Sequence, residues 1–146
     1  VPSRSEQRPR QGGFTLIEII VVIAVVAVLA SLVSPMVFRN VGDAKRTAAR
    51  AQIEIFVLAL ESYRLDNDRY PTTDLGLAAL RSAPEDSSGR WRGPYLRKDV
   101  PLDPWGRPYV YRSPGDINPG SFDLFSLGRD GEPGGDEEDA DIESWR

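Results

Sequence analysis

The sequence predicts an α+β protein: a long N-terminal helix, membrane-spanning in its first half and amphipathic in its second, packed on a small domain. That domain holds a short helix, a small antiparallel sheet and a C-terminal loop suited to calcium. Three observations predict it. An uncharged apolar run from Ile19 to Phe38 passes into an amphipathic segment. Two short stretches, Tyr109 to Arg112 and Phe122 to Ser126, alternate as strands do. From Asp130 onward, carboxylates crowd among glycines and the chain then returns to apolar residues.

The apolar run is 20 residues long. As a helix rising about 1.5 Å per residue it covers roughly 30 Å, the hydrocarbon thickness of a bilayer. Glu18 sits at its near end, where an ionised carboxylate in apolar surroundings costs on the order of a few kcal/mol unless it finds a partner. Cleavage between Gly13 and Phe14 creates one, because the new α-amino group of Phe14 is a cation one helical turn away. Within one chain the two are poorly placed, since the side chain of Glu18 points outward; between staggered neighbours in a bundle they meet. The competing reading is an ordinary secretory signal, with Arg4, Arg8 and Arg10 as its basic region and Val28-Leu29-Ala30 as its cleavage site. Glu18 inside the apolar core, and a helical pattern that runs on past Ser34, both oppose it.

Pro35 removes one helical hydrogen bond near the outer end of this run, which predicts a kink or a melted turn over Ser31 to Pro35. Beyond Asp43 the pattern becomes amphipathic. Ala44, Ala48, Ala51, Ile55, Leu58 and Leu65 recur along one stripe, widened by Gln52, Phe56, Ala59, Leu60 and Tyr63, with Lys45, Arg46, Arg50, Glu54, Glu61 and Arg64 for the other side. The two segments therefore read as one helix from about Phe14 to about Leu65, ended by Asp66-Asn67-Asp68.

Tyr70-Pro71-Thr72-Thr73-Asp74 leads into a short helix with Thr72 or Thr73 as N-cap and Leu75, Leu77, Ala78 and Leu80 on its apolar side. Pro84 stops it, and Glu85 to Gly89 form a polar loop. Trp91-Arg92-Gly93-Pro94-Tyr95-Leu96 and Asp103-Pro104-Trp105-Gly106-Arg107-Pro108 are turn-dense, with aromatics that pin loops to the core. The two strand segments, linked by the Pro- and Gly-rich stretch Ser113 to Ser121, make an antiparallel pair whose apolar face covers the helix.

Composition narrows the chemistry. The 146 residues include neither cysteine nor histidine, which excludes disulfides, thiolate nucleophiles and zinc-thiolate sites and removes the usual general base. The formal charge is −4. Residues 1–13 carry three arginines against Glu6, a net +2, so the remainder carries −6. A basic flank before the span and an acidic body after it put the N-terminus in the cytoplasm and the body outside, by the positive-inside rule. The same balance disfavours nucleic acid, since no basic face remains to replace counterions.

Asp130, Glu132, Asp136, Glu137, Glu138, Asp139, Asp141 and Glu143 face a single cation, Arg146, in the C-terminal stretch. Such a run is ordinarily a solvated tail. This one begins directly after a strand, is punctuated by Gly128, Gly131, Pro133, Gly134 and Gly135, and ends on Ile142 and Trp145. A loop anchored at both ends and so charged repels itself unless a cation sits in it. Hard oxygen donors without histidine or cysteine select calcium, though the spacing is not that of an EF-hand.

Gly13-Phe14-Thr15-Leu16-Ile17-Glu18 followed by an uncharged helix resembles the signal of type IV pilins and of the pseudopilins of type II secretion. The resemblance implies cleavage after Gly13 by a prepilin peptidase, N-methylation of Phe14, and assembly through Glu18 of one subunit and the Phe14 terminus of the next. Arg69-Tyr70-Pro71-Thr72-Thr73, Trp91 to Leu96, Asp103-Pro104-Trp105-Gly106 and Ser126-Leu127-Gly128-Arg129-Asp130-Gly131 are similar to the ordered motifs of major pseudopilins. The resemblance covers the chain from Gly13 to Trp145. It implies three parts: a cleaved cytoplasmic leader at 1–13, a transmembrane and assembly helix at 14–38, and a periplasmic domain at 39–146.

The implied role is that of a structural, non-enzymatic subunit. It polymerises into the periplasmic pseudopilus of a type II secretion system, anchored in the inner membrane, and drives export of folded proteins across the outer membrane. The implied partners are other copies of the chain, the prepilin peptidase, the inner-membrane secretion platform, minor pseudopilins and membrane lipid. The family's calcium site falls, by position, on the carboxylates of Asp130 and Asp141 and the carbonyls of Leu127 and Glu132. Ala140 stands where relatives carry an acid, so a further carboxylate must come from Asp139 or Asp136, with Asp139 favoured. Two other readings compete: a type IV pilus subunit for adhesion or motility, which commonly closes its C-terminal region with a disulfide, and a membrane-anchored periplasmic calcium-binding module.

Overall fold

Helix α1, Leu16–Asn67, runs for 52 residues and is followed by a 3-10 helix, Leu77–Leu80, and by strands β1 (Val110–Arg112), β2 (Asp123–Ser126) and β3 (Ile142–Glu143). The computed structural model describes residues 14–85 and 89–146, with residues 32–40 described as backbone alone. The leader, Gly13 included, and most of the polar loop after Glu85 lie outside these residues. The chain divides after Arg39, and Asn40–Arg146 form one unit.

Thr15 starts α1. The Glu18 amide donates to the Thr15 carbonyl at 3.1 Å and to its hydroxyl at 3.4 Å, so Thr15 stands as N-cap with an acid three residues on, the sequence of a capping box. The helix continues through Pro35 with no melted turn. A proline removes one hydrogen bond while those of the neighbouring turns persist. Among the described residues no helix is long and apolar enough to cross a membrane; the side chains that complete the apolar run, 32–38, lie outside them. At the far end Asp68 adopts a left-handed conformation (φ 60°) and its amide returns to the Arg64 carbonyl at 2.8 Å, a left-handed C-terminal cap.

Within the second unit the buried face of α1 is Ala49, Ile53, Phe56, Ala59, Leu60, Tyr63 and Asn67. Of the apolar side expected from the periodicity, Phe56, Ala59, Leu60 and Tyr63 face the core, while Ala44, Ala48, Ala51, Ile55, Leu58 and Leu65 are exposed. Ile53 and Ile55, or Phe56 and Leu58, are two residues apart and so about 200° apart round the helix. The segment is apolar on both sides, and the domain covers only one. Phe56 stands edge-on to Tyr109 at 5.1 Å between ring centroids. Leu60, Leu80, Leu124 and Ile142 complete the core around it.

The short helix differs from expectation. It begins after Gly76 with no side-chain cap, and Ala78 is exposed. Thr73 is otherwise engaged: its hydroxyl donates to the Ser113 carbonyl at 3.2 Å and accepts from the Ser113 amide at 2.9 Å. The predicted strands pair as expected, β1 against β2 antiparallel with Tyr111 opposite Leu124. A third strand, β3, lies on the other side of β2, with Ile142 opposite Ser126.

Two buried aspartates organise the turn-dense segments. Asp103 accepts from the amides of Trp105 and Arg107 at 3.0 and 2.8 Å and from the Ser126 hydroxyl at 2.6 Å, which ties the Asp-Pro-Trp-Gly turn to β2. Asp123 accepts from the amides of Ile117 and Asn118 and from the Asn118 side chain at 2.8, 3.0 and 2.8 Å. Burial pushes its carboxyl up, but these donors outweigh that and hold it below the usual carboxylate range.

Candidate functional site

Two sites were singled out by residue type. At the N-terminal one, Phe14 precedes α1 with 79% of its surface exposed, and Glu18 lies in the first turn, where a carboxylate is favoured by the helix dipole. Glu18 makes no ion pair among the described residues. Around it Leu16, Ile17, Ile19, Ile20, Val21 and Val22 are all exposed. Gly13 lies outside the described residues.

The second site is the loop between β2 and β3, residues 127–141. It is not a free tail. Ile142 is buried in the core and Trp145 stands edge-on to Phe125 at 6.0 Å. The arms of the loop close on each other, with the Asp141 amide donating to the Gly134 carbonyl at 3.1 Å and the Asp139 amide to the Asp136 carbonyl at 3.0 Å. Gly128 (φ 64°) permits this closure: a Cβ there would come within 2.9 Å of the carbonyls of Asp139 and Ala140.

Three arginines hold the loop. Arg107 NH1 donates to the carbonyls of Gly128 and Arg129 at 2.9 and 3.0 Å, and its NH2 to that of Asp130 at 3.2 Å. From α1, Arg46 NH1 donates to the carbonyls of Glu137 and, at 3.1 Å, of Ala140. One turn earlier on the helix, Gly42 leaves room for Glu138, whose Oε1 would lie 2.6 Å from a Cβ placed there. The third arginine, Arg129, belongs to the loop. Its Nε and NH2 grip the two oxygens of Asp139 at 2.8 and 3.1 Å, and its NH1 reaches Glu138 at 2.7 Å. The hydrogen bond and charge of Asp139 raise the guanidinium's pKa further.

The proposed calcium ligands fall into distinct situations. Leu127 follows β2, and its carbonyl accepts from the Gly131 amide at 3.2 Å. Asp130 Oδ1 accepts from the Glu132 amide at 3.1 Å, which brings Asp130 and Glu132 into one turn. Asp139 is taken by Arg129. Asp141 Oδ2 accepts from the Gly134 amide at 2.9 Å, while its Oδ1 is buried with no partner among the described residues. No group of three or more carboxylates converges among the described residues. An orphaned buried carboxylate oxygen, in a loop of oxygen donors without nitrogen or sulfur ligands, fits a hard cation.

Reading by residue type missed the arginines. Arg46 stands on the charged side of the helical pattern and Arg107 in a turn-dense segment, and their acceptors are main-chain carbonyls, which leave no letter in a sequence.

Residues 36–145 match the model of the family "Type II secretion system (T2SS), protein G", and residues 8–34 match the "Prokaryotic N-terminal methylation motif". The chain is 46% identical over 141 residues to the type II secretion system core protein G of Pseudomonas aeruginosa, covering 95% of this chain and 98% of that one. It is 44% identical to the core protein G of Vibrio cholerae, covering 93% and 92%. Among solved structures, the major pseudopilin from the type 2 secretion system of enterohaemorrhagic Escherichia coli matches with a TM-score of 0.58 at 38% identity. That match covers 73% of this chain and 90% of the other.

Proposed function

The chain belongs to the type II secretion system protein G family, and from that premise we infer its work: it is a structural subunit of the pseudopilus of a type II secretion system. The observation from this molecule that carries the reading is the second apolar face of α1. Ile55, Leu58 and Leu65 are 50%, 68% and 79% exposed on a helix whose opposite side already seals the core. An apolar stripe of that kind, left open by its own domain, suits burial against further copies of the chain.

The finer reading follows. The helix at 14–38 anchors the subunit in the inner membrane as a single pass, with residues 1–13 cytoplasmic and the 39–146 domain periplasmic. Prepilin peptidase cleaves after Gly13, Phe14 becomes N-methylated, and the new terminus pairs with Glu18 of a neighbour. The pairing gives each intramembrane carboxylate a cation and sets the stagger between subunits. The role is structural rather than catalytic. The secretion platform, minor pseudopilins and membrane lipid are the remaining partners, with export of folded proteins as the outcome.

Calcium is the proposed cofactor of the 127–141 loop, held by Asp130, Asp141 and the carbonyls of Leu127 and Glu132, with Asp139 joining once released from Arg129. When bound it supplies the divalent charge that offsets the crowded carboxylates. The buried, unpartnered Asp141 Oδ1 supports the assignment.

Expression in a host with a prepilin peptidase tests the central part. Intact mass should give a chain beginning at N-methyl-Phe14, and Glu18→Ala should insert in the membrane yet fail to form filaments. Cleavage after Ala30, or normal filaments from Glu18→Ala, would contradict the reading.

A further inference from the structure

The loop between β2 and β3 divides its electrostatic work among three guanidinium groups, and Arg129 is set apart from the other two. Arg107 and Arg46 bind main-chain carbonyls, so they shape the backbone and leave the carboxylates unneutralised. Arg129 binds carboxylates alone: a two-pronged pair with Asp139 and a third bond to Glu138. This fork joins the turn after β2 to the arm that leads back into β3, where the Arg129 amide also approaches the Glu138 carbonyl at 3.4 Å. Bidentate guanidinium–carboxylate geometry gives direction as well as attraction. The two arms that a cation would join are thus already joined by a side chain.

We propose that Arg129 is a built-in counter-ion that competes with calcium for this loop, closing it when calcium is absent and weakening calcium binding when calcium is present. The proposal rests on the calcium reading above. It adds that the chain carries its own monovalent substitute, in the position between Gly128 and Asp130. Two effects act in one direction. The guanidinium occupies both oxygens of Asp139, the carboxylate favoured to complete the site. Its positive charge also stands beside Asp130 and repels a divalent ion. More than half of the Arg129 side chain is exposed, so solvent screens this repulsion; release of Asp139 and loss of the charge together should change affinity about tenfold.

The test uses the full chain in detergent, titrated calorimetrically with calcium chloride, beside Arg129→Ala and Arg129→Lys. Melting followed by fluorescence of Trp91, Trp105 and Trp145, in chelator and in calcium, completes it. Arg129→Ala should bind calcium about tenfold more tightly and melt lower than the parent in chelator. Calcium should close most of that gap. Arg129→Lys keeps the charge but not the fork, so its affinity should fall between the two. Calcium uptake by the parent with an unchanged or weaker constant in Arg129→Ala would overturn the competition and leave the calcium site standing. No uptake by the parent or either variant would overturn the calcium reading, and the competition with it.

Discussion

The domain half of α1 and the acidic loop after β2 are both tied to the same small sheet, one by side chains that exclude water and the other by charges that remain in reach of it. On α1, Phe56, Leu60 and Ile53 are almost wholly buried, each contributing roughly 1.5–3 kcal/mol through apolar area removed from water. In the loop, the buried contribution is small, and five main-chain carbonyls and two carboxylates are met by Arg46, Arg107 and Arg129. The difference teaches where each kind of control resides. Apolar burial is indifferent to ions, so α1 is a constant of the subunit. A loop closed by charge is open to screening by the ions around it.

Breaking the buried side should give the largest effect. Phe56→Ala removes the ring that stands against Tyr109 and should lower stability by about 3–5 kcal/mol, as read by urea denaturation. The loss should be the same in calcium and in chelator. A loss that depended on calcium would erase the distinction between the two regions.

Breaking the charged side should cost less and behave differently. Arg107→Ala strands three carbonyls of the Gly128 to Asp130 turn and should lower stability by about 2 kcal/mol. Because the donor group is charged and stands among carboxylates, the parent itself should lose part of this contribution as salt rises, which denaturation at two ionic strengths would register. A salt-independent difference would place Arg107 with the apolar core instead.

Alkaline pH sharpens the comparison without mutation. Burial raises the Tyr109 hydroxyl to about 12, with the Asp103 charge adding to it, and raises Tyr111 as well. A hydroxyl whose pKa is higher folded than unfolded contributes stability that is complete below its unfolded value of 10. That contribution is lost as pH climbs through the folded value. Stability should therefore fall between pH 10 and 12, led by the tyrosine core while the guanidinium groups of the loop stay charged. Tyrosinate absorbance rising together with unfolding would confirm the order; ionisation of all five tyrosines in the folded chain near pH 10 would refute it.

Much of this was legible in the sequence, and the failures have physical causes. Uncharged residues behind Glu18, then helical periodicity to Leu65, mark α1 to within a few residues of both ends. The covered face was not legible, because Ile53 and Phe56 on one side, and Ile55 and Leu58 on the other, are equally apolar. Periodicity identifies stripes without saying which the domain covers. β1 and β2 announce themselves by alternation, whereas β3 has only Ile142 and Glu143 and no room for a pattern. Neither Thr72 nor Thr73 caps the short helix; the Thr73 hydroxyl has both its donor and its acceptor satisfied by Ser113, 40 positions away. In the C-terminal loop, the carboxylates and their anchored ends could be read directly. The arginine clamps could not, since their acceptors are carbonyls that every residue carries.

The most direct measurement of the account is filament assembly by Ile55→Ser/Leu58→Ser. These side chains lie on the exposed face of α1, so the domain should keep its melting temperature, with a stability change within about 0.5 kcal/mol, while pseudopilus formation is sharply reduced in the same host. Unaltered filaments from a normally folded double variant would contradict the claim that this open face is where one subunit meets the next.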